Sequence, residues 1–122
     1  MKTVAVVGAS NHRQKFGNKA VRAYQSAGYK VIPINPNERV VEGIPTYASV
    51  VDVPETIDMV TVYVPPDIGI GLLDGFERKQ IKEIWINPGA ESDELMAEAR
   101  RRKLNVIEAC SIIGIGHNPY AL

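Results

Sequence analysis

Four short apolar runs, "VAVVG" (4–8), "VIPIN" (31–35), "MVTVYV" (59–64) and "IKEIWIN" (81–87), constrain this chain more than any other feature, and a weaker fifth, "NVIEA" (105–109), follows them. The first and third are unbroken stretches of apolar or β-branched residues. Strands read this way when both of their faces are covered, as in a parallel sheet. Pro33 interrupts the second run. It has no N–H to give to a neighbouring strand, so this run belongs on the outside of the sheet or ends early.

Helix-length segments lie between most of the runs. In 17–28, Ala20, Val21, Tyr24 and Ala27 share one helical stripe, and Gly28 is a good stop. In 92–103, Ser92 caps, Asp93 and Glu94 occupy the first turn, Leu95, Met96 and Ala99 form the stripe, and Arg100, Arg101, Arg102 and Lys103 close it. Acid at the start and base at the end match the helix dipole, so this basic cluster reads as a helix end and not as a nucleic-acid patch. The segment 66–79 carries Ile68, Leu72, Leu73 and Phe76 at helical spacing, but also Gly69, Gly71 and Gly75. Each glycine weakens a helix by about 1 kcal/mol relative to Ala, so the segment either frays or brings its backbone close to a neighbour. Residues 36–58 form a turn-rich connection, with a hairpin turn at Glu42-Gly43 and a short helix near 48–52.

Strands alternating with helices imply right-handed βαβ crossovers. The expected fold class is α/β: a Rossmann-like three-layer α/β/α sandwich with a five-stranded, mainly parallel sheet. The expected strand order is 3-2-1-4-5 or a close variant, and residues 1–122 are expected to form one domain. The ligand crevice of such a fold lies at the carboxyl ends of the strands, here residues 8–10, 35–36, 64–66 and 87–89.

The bulk properties exclude several classes. No stretch of about 18 apolar residues occurs, so no membrane span is expected. Met-Lys-Thr leads straight into the first strand without a signal-peptide pattern, which points to the cytoplasm. The lone Cys110 excludes an internal disulfide and a cysteine-rich metal site. Free Cys is commonly buried, so a buried structural role is expected for it. The formal net charge is zero, which gives no overall pull toward nucleic acid. The charge is unevenly spread: residues 1–37 hold Lys2, Arg13, Lys15, Lys19, Arg22 and Lys30 and no carboxylate, while the remainder holds eight basic and fourteen acidic residues. A cationic third in a neutral chain fits a small polyanionic ligand.

The phosphate site is expected where the first run ends. Gly8-Ala9-Ser10 offers small residues and bare N–H groups ahead of a helix, and Ser10 adds a hydroxyl. Arg13 and Lys15 can reach further phosphates, with His12 a weaker contributor, and Gly17 opens the helix. The dinucleotide pattern G-x-G-x-x-G is absent, because Ser10 and Arg13 stand where glycines are required, and no Walker A sequence occurs. After the second run, where NAD sites place a carboxylate for the ribose, the chain reads Asn35, Pro36, Asn37. A pyrophosphate ligand with an additional ribose phosphate fits, and both coenzyme A and NADP answer that description.

The ordered series "VVGAS" with its basic loop, "GYKVIPINP", "GIPTY" with "SVVDVPETIDMVTVYVPP", and "IWINPGAES" resembles the small stand-alone CoA-binding domain proteins, which are similar to the N-terminal domain of the succinyl-CoA synthetase α subunit. The resemblance runs from Val4 to about Cys110. It implies that Gly8, Ala9, Ser10, Arg13 and Lys15 hold the phosphates of coenzyme A. It also implies that Ile34, Asn35 and Pro36 border the adenosine, that Val64, Pro65 and Pro66 pack against the adenine, and that Asn87, Pro88, Gly89 and Ala90 line the exit toward the pantetheine arm. Relatives often carry Gln in the fourth motif, where this chain has "INPGAE".

No Ser-His-Asp set or metal-spaced cluster is legible, and the phosphorylated histidine of the synthetase lies in a domain beyond this stretch. His117, like Trp85 and Tyr63, reads as a packing residue. The tail "SIIGIGHNPYAL" is too apolar for a free end and is expected to cover the sheet edge or a second subunit. The reading is a non-catalytic module for CoA or an acyl-CoA, with a homodimer or an acyl-CoA enzyme as possible partner. An NADP-dependent oxidoreductase and an interaction protein with a relic pocket are the alternatives.

Overall fold

The computed structural model describes residues 1–122. In chain order the elements are β1 (Thr3–Val7), α1 (Phe16–Ser26), β2 (Lys30–Ile34), a short pair β3 (Val40–Val41) and β4 (Ile44–Pro45), and a 3-10 turn (Val50–Asp52). β5 (Met59–Val62), α2 (Pro66–Arg78), β6 (Ile84–Ile86), α3 (Asp93–Arg101), β7 (Val106–Glu108), α4 (Ser111–Gly114) and a closing 3-10 turn (Pro119–Ala121) complete the chain.

The main sheet is five-stranded, with every pairing parallel, in the order β2-β1-β5-β6-β7. Side chains alternate across it. Ala5, Val7, Ile32, Ile34, Val60, Val62, Ile84 and Ile86 face a core closed by α2, α3 and the Val50–Asp52 turn. Val4, Val6, Val31 and Met59 face a second core closed by α1 and α4. This is the three-layer α/β/α arrangement of a Rossmann-like fold.

The strand order differs from the expected 3-2-1-4-5. Counting only the strands of the main sheet, it is 2-1-3-4-5. The cause lies on the outer edge of β2. Tyr47 donates its N–H to Pro33 O and accepts from Asn35 N–H, so the stretch just after β4 occupies that edge. Pro33 has no N–H to offer there, and a full third strand could not pair with it. The chain therefore crosses back, and β5 joins the other side of β1. Pro33 sits on the edge strand, as its missing donor requires.

Local chemistry follows the sequence closely elsewhere. Ser92 Oγ accepts from Leu95 N–H at 3.0 Å and caps α3, whose Leu95, Met96 and Ala99 are buried. Glu42 (φ 48°) and Gly43 (φ 77°) form the turn between β3 and β4, and both take the positive φ that a two-residue hairpin needs. α1 ends at Ser26 with Ala27 as its C-cap, and Gly28 (φ 87°) stops it as expected, but Ala27 is exposed and not part of the buried stripe.

The tail does not cover a sheet edge. α4 lies on the sheet face beside α1, with Ile112 fully buried in that core. It fits because Gly114 has no side chain: a Cβ there would stand 3.0 Å from the Trp85 ring. Trp85 is half-buried, and its indole N–H donates to Glu83 Oε1 at 2.7 Å. Cys110 is half-buried, not fully buried; it stands at the N-cap position of α4, outside the buried Ser111 and Ile112, and its side chain makes no capping bond. No helix is long and apolar enough to cross a membrane.

Candidate functional site

The strand order reverses at β1, and the carboxyl ends of β1, β2 and β5 therefore diverge around a crevice, the usual ligand position in open α/β sheets. A cleft of about 400 Å³ opens there. Gly8, Ile34, Asn35, Pro36 and Val64 line it, five of the residues that the sequence nominates. The remaining walls come from Ala48, Ser49 and Val50 and from one face of α2.

Gly8 turns the chain out of β1 with φ 89°, and a Cβ on it would lie 3.1 Å from the backbone of Tyr63. Its N–H donates to Ile34 O. The next two N–H groups, those of Ala9 and Ser10, take no acceptor within the chain, although Ala9 is 0% exposed. Two neighbouring unpaired N–H groups at the end of a strand and ahead of a helix make a nest suited to an anion. The turn is held from outside: Asn35 Nδ2 donates to Ala9 O at 2.7 Å, and Asn18 Nδ2 donates to Ser10 O at 2.8 Å. Ser10 Oγ accepts from His12 N–H at 3.0 Å, which leaves its hydroxyl hydrogen to donate elsewhere. Gly17 packs so tightly under Gly8 that a Cβ on it would stand 2.1 Å from Gly8 O.

The basic loop is latched to the β3–β4 hairpin. Arg13 donates from one guanidinium nitrogen to Glu42 Oε1 at 2.9 Å, and Asn18 Nδ2 reaches Glu42 Oε2 at 2.9 Å. Arg22 braces both: its Nε donates to Asn18 Oδ1 at 2.7 Å, and a terminal nitrogen donates to Arg13 O at 3.0 Å. Asn11 adds Nδ2 to Val40 O at 2.7 Å. Lys15 is exposed at the N-cap of α1, and His12 Nδ1 accepts from Gln14 N–H. Glu42, Asn18 and Asn11 escape a sequence reading because their partners lie eight to thirty-one residues away.

Pro65 and Pro66 begin α2. The fourth nominated loop lies outside the cleft. Asn87 is 1% exposed, and its side chain is fully engaged: Nδ2 donates to Thr61 Oγ1 at 2.7 Å and Val62 O at 3.0 Å, while Oδ1 accepts from Ser111 N–H at 2.9 Å. Pro88 and Gly89 are exposed, Gly89 with φ 95°, and Ala90 is buried with its N–H on Asn87 O. Asn87 thus joins β5, β6 and α4 and does not present its amide to the crevice.

The bonds of Asn87 continue into a buried hydroxyl chain. Thr61 and Ser111 hydroxyls are 2.6 Å apart, and Tyr63 Oη lies 3.2 Å from Ser111 Oγ. The Tyr24 hydroxyl lies beside Ser111 without a hydrogen bond of ordinary geometry. Burial pushes the phenols of both Tyr24 and Tyr63 above their ordinary value of 10.0. The unfolded chain ionises these tyrosines first, so stability holds below about pH 10 and falls as the pH rises above it. A tyrosine-absorbance titration should find two of the five phenols ionising late and together with unfolding; five ordinary titrations would contradict their burial.

An anion-suited turn thus stands beside the cleft at the switch point of the sheet. The sequence model of a family described as "CoA binding domain" matches residues 2–116. The chain belongs to that family. It is 29% identical over 119 residues to the ADP-forming acetate–CoA ligase I of Archaeoglobus fulgidus, covering 96% of this chain and 17% of the ligase. The chain thus spans about a sixth of the length of such ligases. Among solved structures, a conserved hypothetical protein of Pyrococcus furiosus superposes with a TM-score of 0.85 at 30% identity, over 93% of this chain and 99% of that one. The dinucleotide-forming acetyl-coenzyme A synthetase 1 of Ca. Korarchaeum cryptofilum superposes with a TM-score of 0.76 at 29% identity, over 88% of this chain and 25% of that one. The family therefore includes both short chains and segments of larger CoA ligases.

The cleft walls that sequence reasoning missed are the Ala48–Val50 stretch and the α2 face. The signal was present in the glycines of 66–79. Gly69 makes room for Leu95, 3.0 Å from a would-be Cβ, and Gly75 for Val51 at 3.4 Å.

Proposed function

We propose that this chain is a non-catalytic module that binds coenzyme A or an acyl-CoA at the carboxyl ends of β1, β2 and β5. The observation that carries the reading is the Gly8-Ala9-Ser10 turn, with two unpaired N–H groups at the rim of an apolar cleft. Family membership adds the ligand class, and the similarity to an acetate–CoA ligase agrees with it. In this reading the N–H groups of Ala9 and Ser10, the Ser10 hydroxyl and the Arg13 and Lys15 side chains take the phosphates. Gly8 and Gly17 let the backbone approach. Ile34, Asn35 and Pro36 border the adenosine, with Val64, Pro65 and Pro66 opposite. The loop of Asn87, Pro88, Gly89 and Ala90 flanks the way out for the pantetheine arm, through its backbone and not through the Asn87 amide.

The polar groups around the turn serve the shape of the loop. Ser10 and Asn35 are bonded to backbone, and Arg13 is paired with Glu42. That supports holding a ligand more than transforming one. An NADP site gains nothing from the geometry: Ser10 and Arg13 still stand at the fingerprint's second and third glycine positions.

Ser10→Ala combined with Arg13→Ala should weaken CoA binding several-fold or more, because charge-assisted contacts to phosphate are lost. An unchanged affinity would reject the loop as the phosphate site. A thermal-shift comparison of CoA, NADP and NAD tests the ligand class. A ligand at 100 times its Kd stabilises by about 2.7 kcal/mol, so CoA should raise the melting temperature by several degrees while NADP leaves it in place. Stabilisation by NADP with CoA silent would replace the reading.

A further inference from the structure

Three glycines in a thirteen-residue helix call for a reason, and one of them has none in the packing. Gly69 and Gly75 are each pressed against a neighbour, but a Cβ on Gly71 would meet nothing within 4 Å. Gly71 is also a poor helix former on an exposed face, where Ala would stabilise. Its position explains it. Ile68, Gly71, Leu72 and Gly75 fall at i, i+3, i+4 and i+7, one stripe of α2, and all four line the cleft. Ile68 is 53% exposed on this stripe, which leaves an apolar wall without a partner. Ile34 and Pro36 stand among the residues lining the rest of the cleft, and the Asp74–Arg78 ion pair marks its far rim.

Two apolar walls, one of them bare of side chain at its middle, make a slot for a flat ring with polar edges. We propose that Gly71 is a specificity-determining residue, whose missing side chain keeps the slot between α2 and the β2 loop open to the purine ring of the bound nucleotide. This rests on the reading of the chain as a CoA-binding module. It adds that the nucleoside end is selected at α2, away from the phosphate turn. The slot excludes a ligand when the wall gains bulk, while the fold does not need the glycine at all.

The two effects therefore have opposite signs, and the experiment reads both. Gly71→Ala should melt about 3–6 °C higher than wild type, since Ala gains helix propensity without a clash. Gly71→Leu should fold as well as wild type and bind CoA at least about tenfold more weakly, a loss typical of filling a pocket that a ring must enter. Calorimetry with CoA and ligand-detected NMR with ADP, which carries the purine without the pantetheine arm, should show the same fold loss for both ligands. Loss of CoA affinity with ADP binding unchanged would place the pantetheine arm in the slot and overturn the assignment. Unchanged affinity for both in Gly71→Leu, with wild type binding CoA, would overturn it and leave the binding-module reading intact. A wild type that binds no CoA removes the parent reading and this one together.

Discussion

Gly17→Ala is expected to lower the melting temperature by roughly 10 °C and to abolish measurable CoA binding. A Cβ at this position would stand 2.1 Å from Gly8 O, well inside the contact distance of any carbon and oxygen. The obstacle is backbone, so no side chain can rotate away. Either α1 moves off β1, or the Gly8 turn deforms. Overpacking a tight core costs about 1–3 kcal/mol and sometimes more, and about 1 kcal/mol shifts a chain of this size by a few degrees. The same substitution at Gly71 should act in the opposite direction. Thermal melts of the two variants side by side therefore separate a glycine required by packing from a glycine required by a ligand. A Gly17→Ala protein melting within a degree or two of wild type would contradict the close approach of α1 and β1.

The second large effect is expected at Asn87. Its amide ties the end of β6 to two other segments: β5 through Thr61 and Val62, and α4 through the N–H of Ser111. Asn87→Ala leaves the Ser111 N–H and the Thr61 hydroxyl buried with one partner fewer, at about 1–3 kcal/mol for each group left unsatisfied. A total loss near 3 kcal/mol is expected in urea denaturation. Amide exchange should accelerate through residues 111–117, because α4 loses its anchor to the sheet. A variant that kept its stability and lost only ligand affinity would assign the amide to the ligand instead.

Much of this fold was legible because its signals are local. The apolar runs, the Ser92 cap, the Glu42-Gly43 turn and the edge position of Pro33 depend on neighbours in sequence or on what a residue cannot do. The order of strands was not legible in the same way. It turns on Tyr47 occupying the outer edge of β2, a contact made across a connection without a regular helix. The site divides along the same line. Gly8, Ala9, Ser10 and Gly17 announce a tight turn with free N–H groups by residue type alone. The Arg13–Glu42 pair joins residues twenty-nine apart, and neither residue signals the other. Asn87 stands among the expected ligand contacts because the resemblance to CoA-binding domain proteins implies it. Here the fold of the tail turns its amide inward. The α2 wall was hidden for a different reason: the glycines that open the cleft also blur the helical pattern by which the wall would be found.

A calorimetric titration of the chain with coenzyme A tests the binding of CoA at the Gly8-Ala9-Ser10 turn most directly. Saturable binding of one CoA per chain, weaker for dephospho-CoA and lost in step with Ser10→Ala and Arg13→Ala, is the predicted result. A flat titration up to millimolar CoA, or binding indifferent to both substitutions, would contradict it.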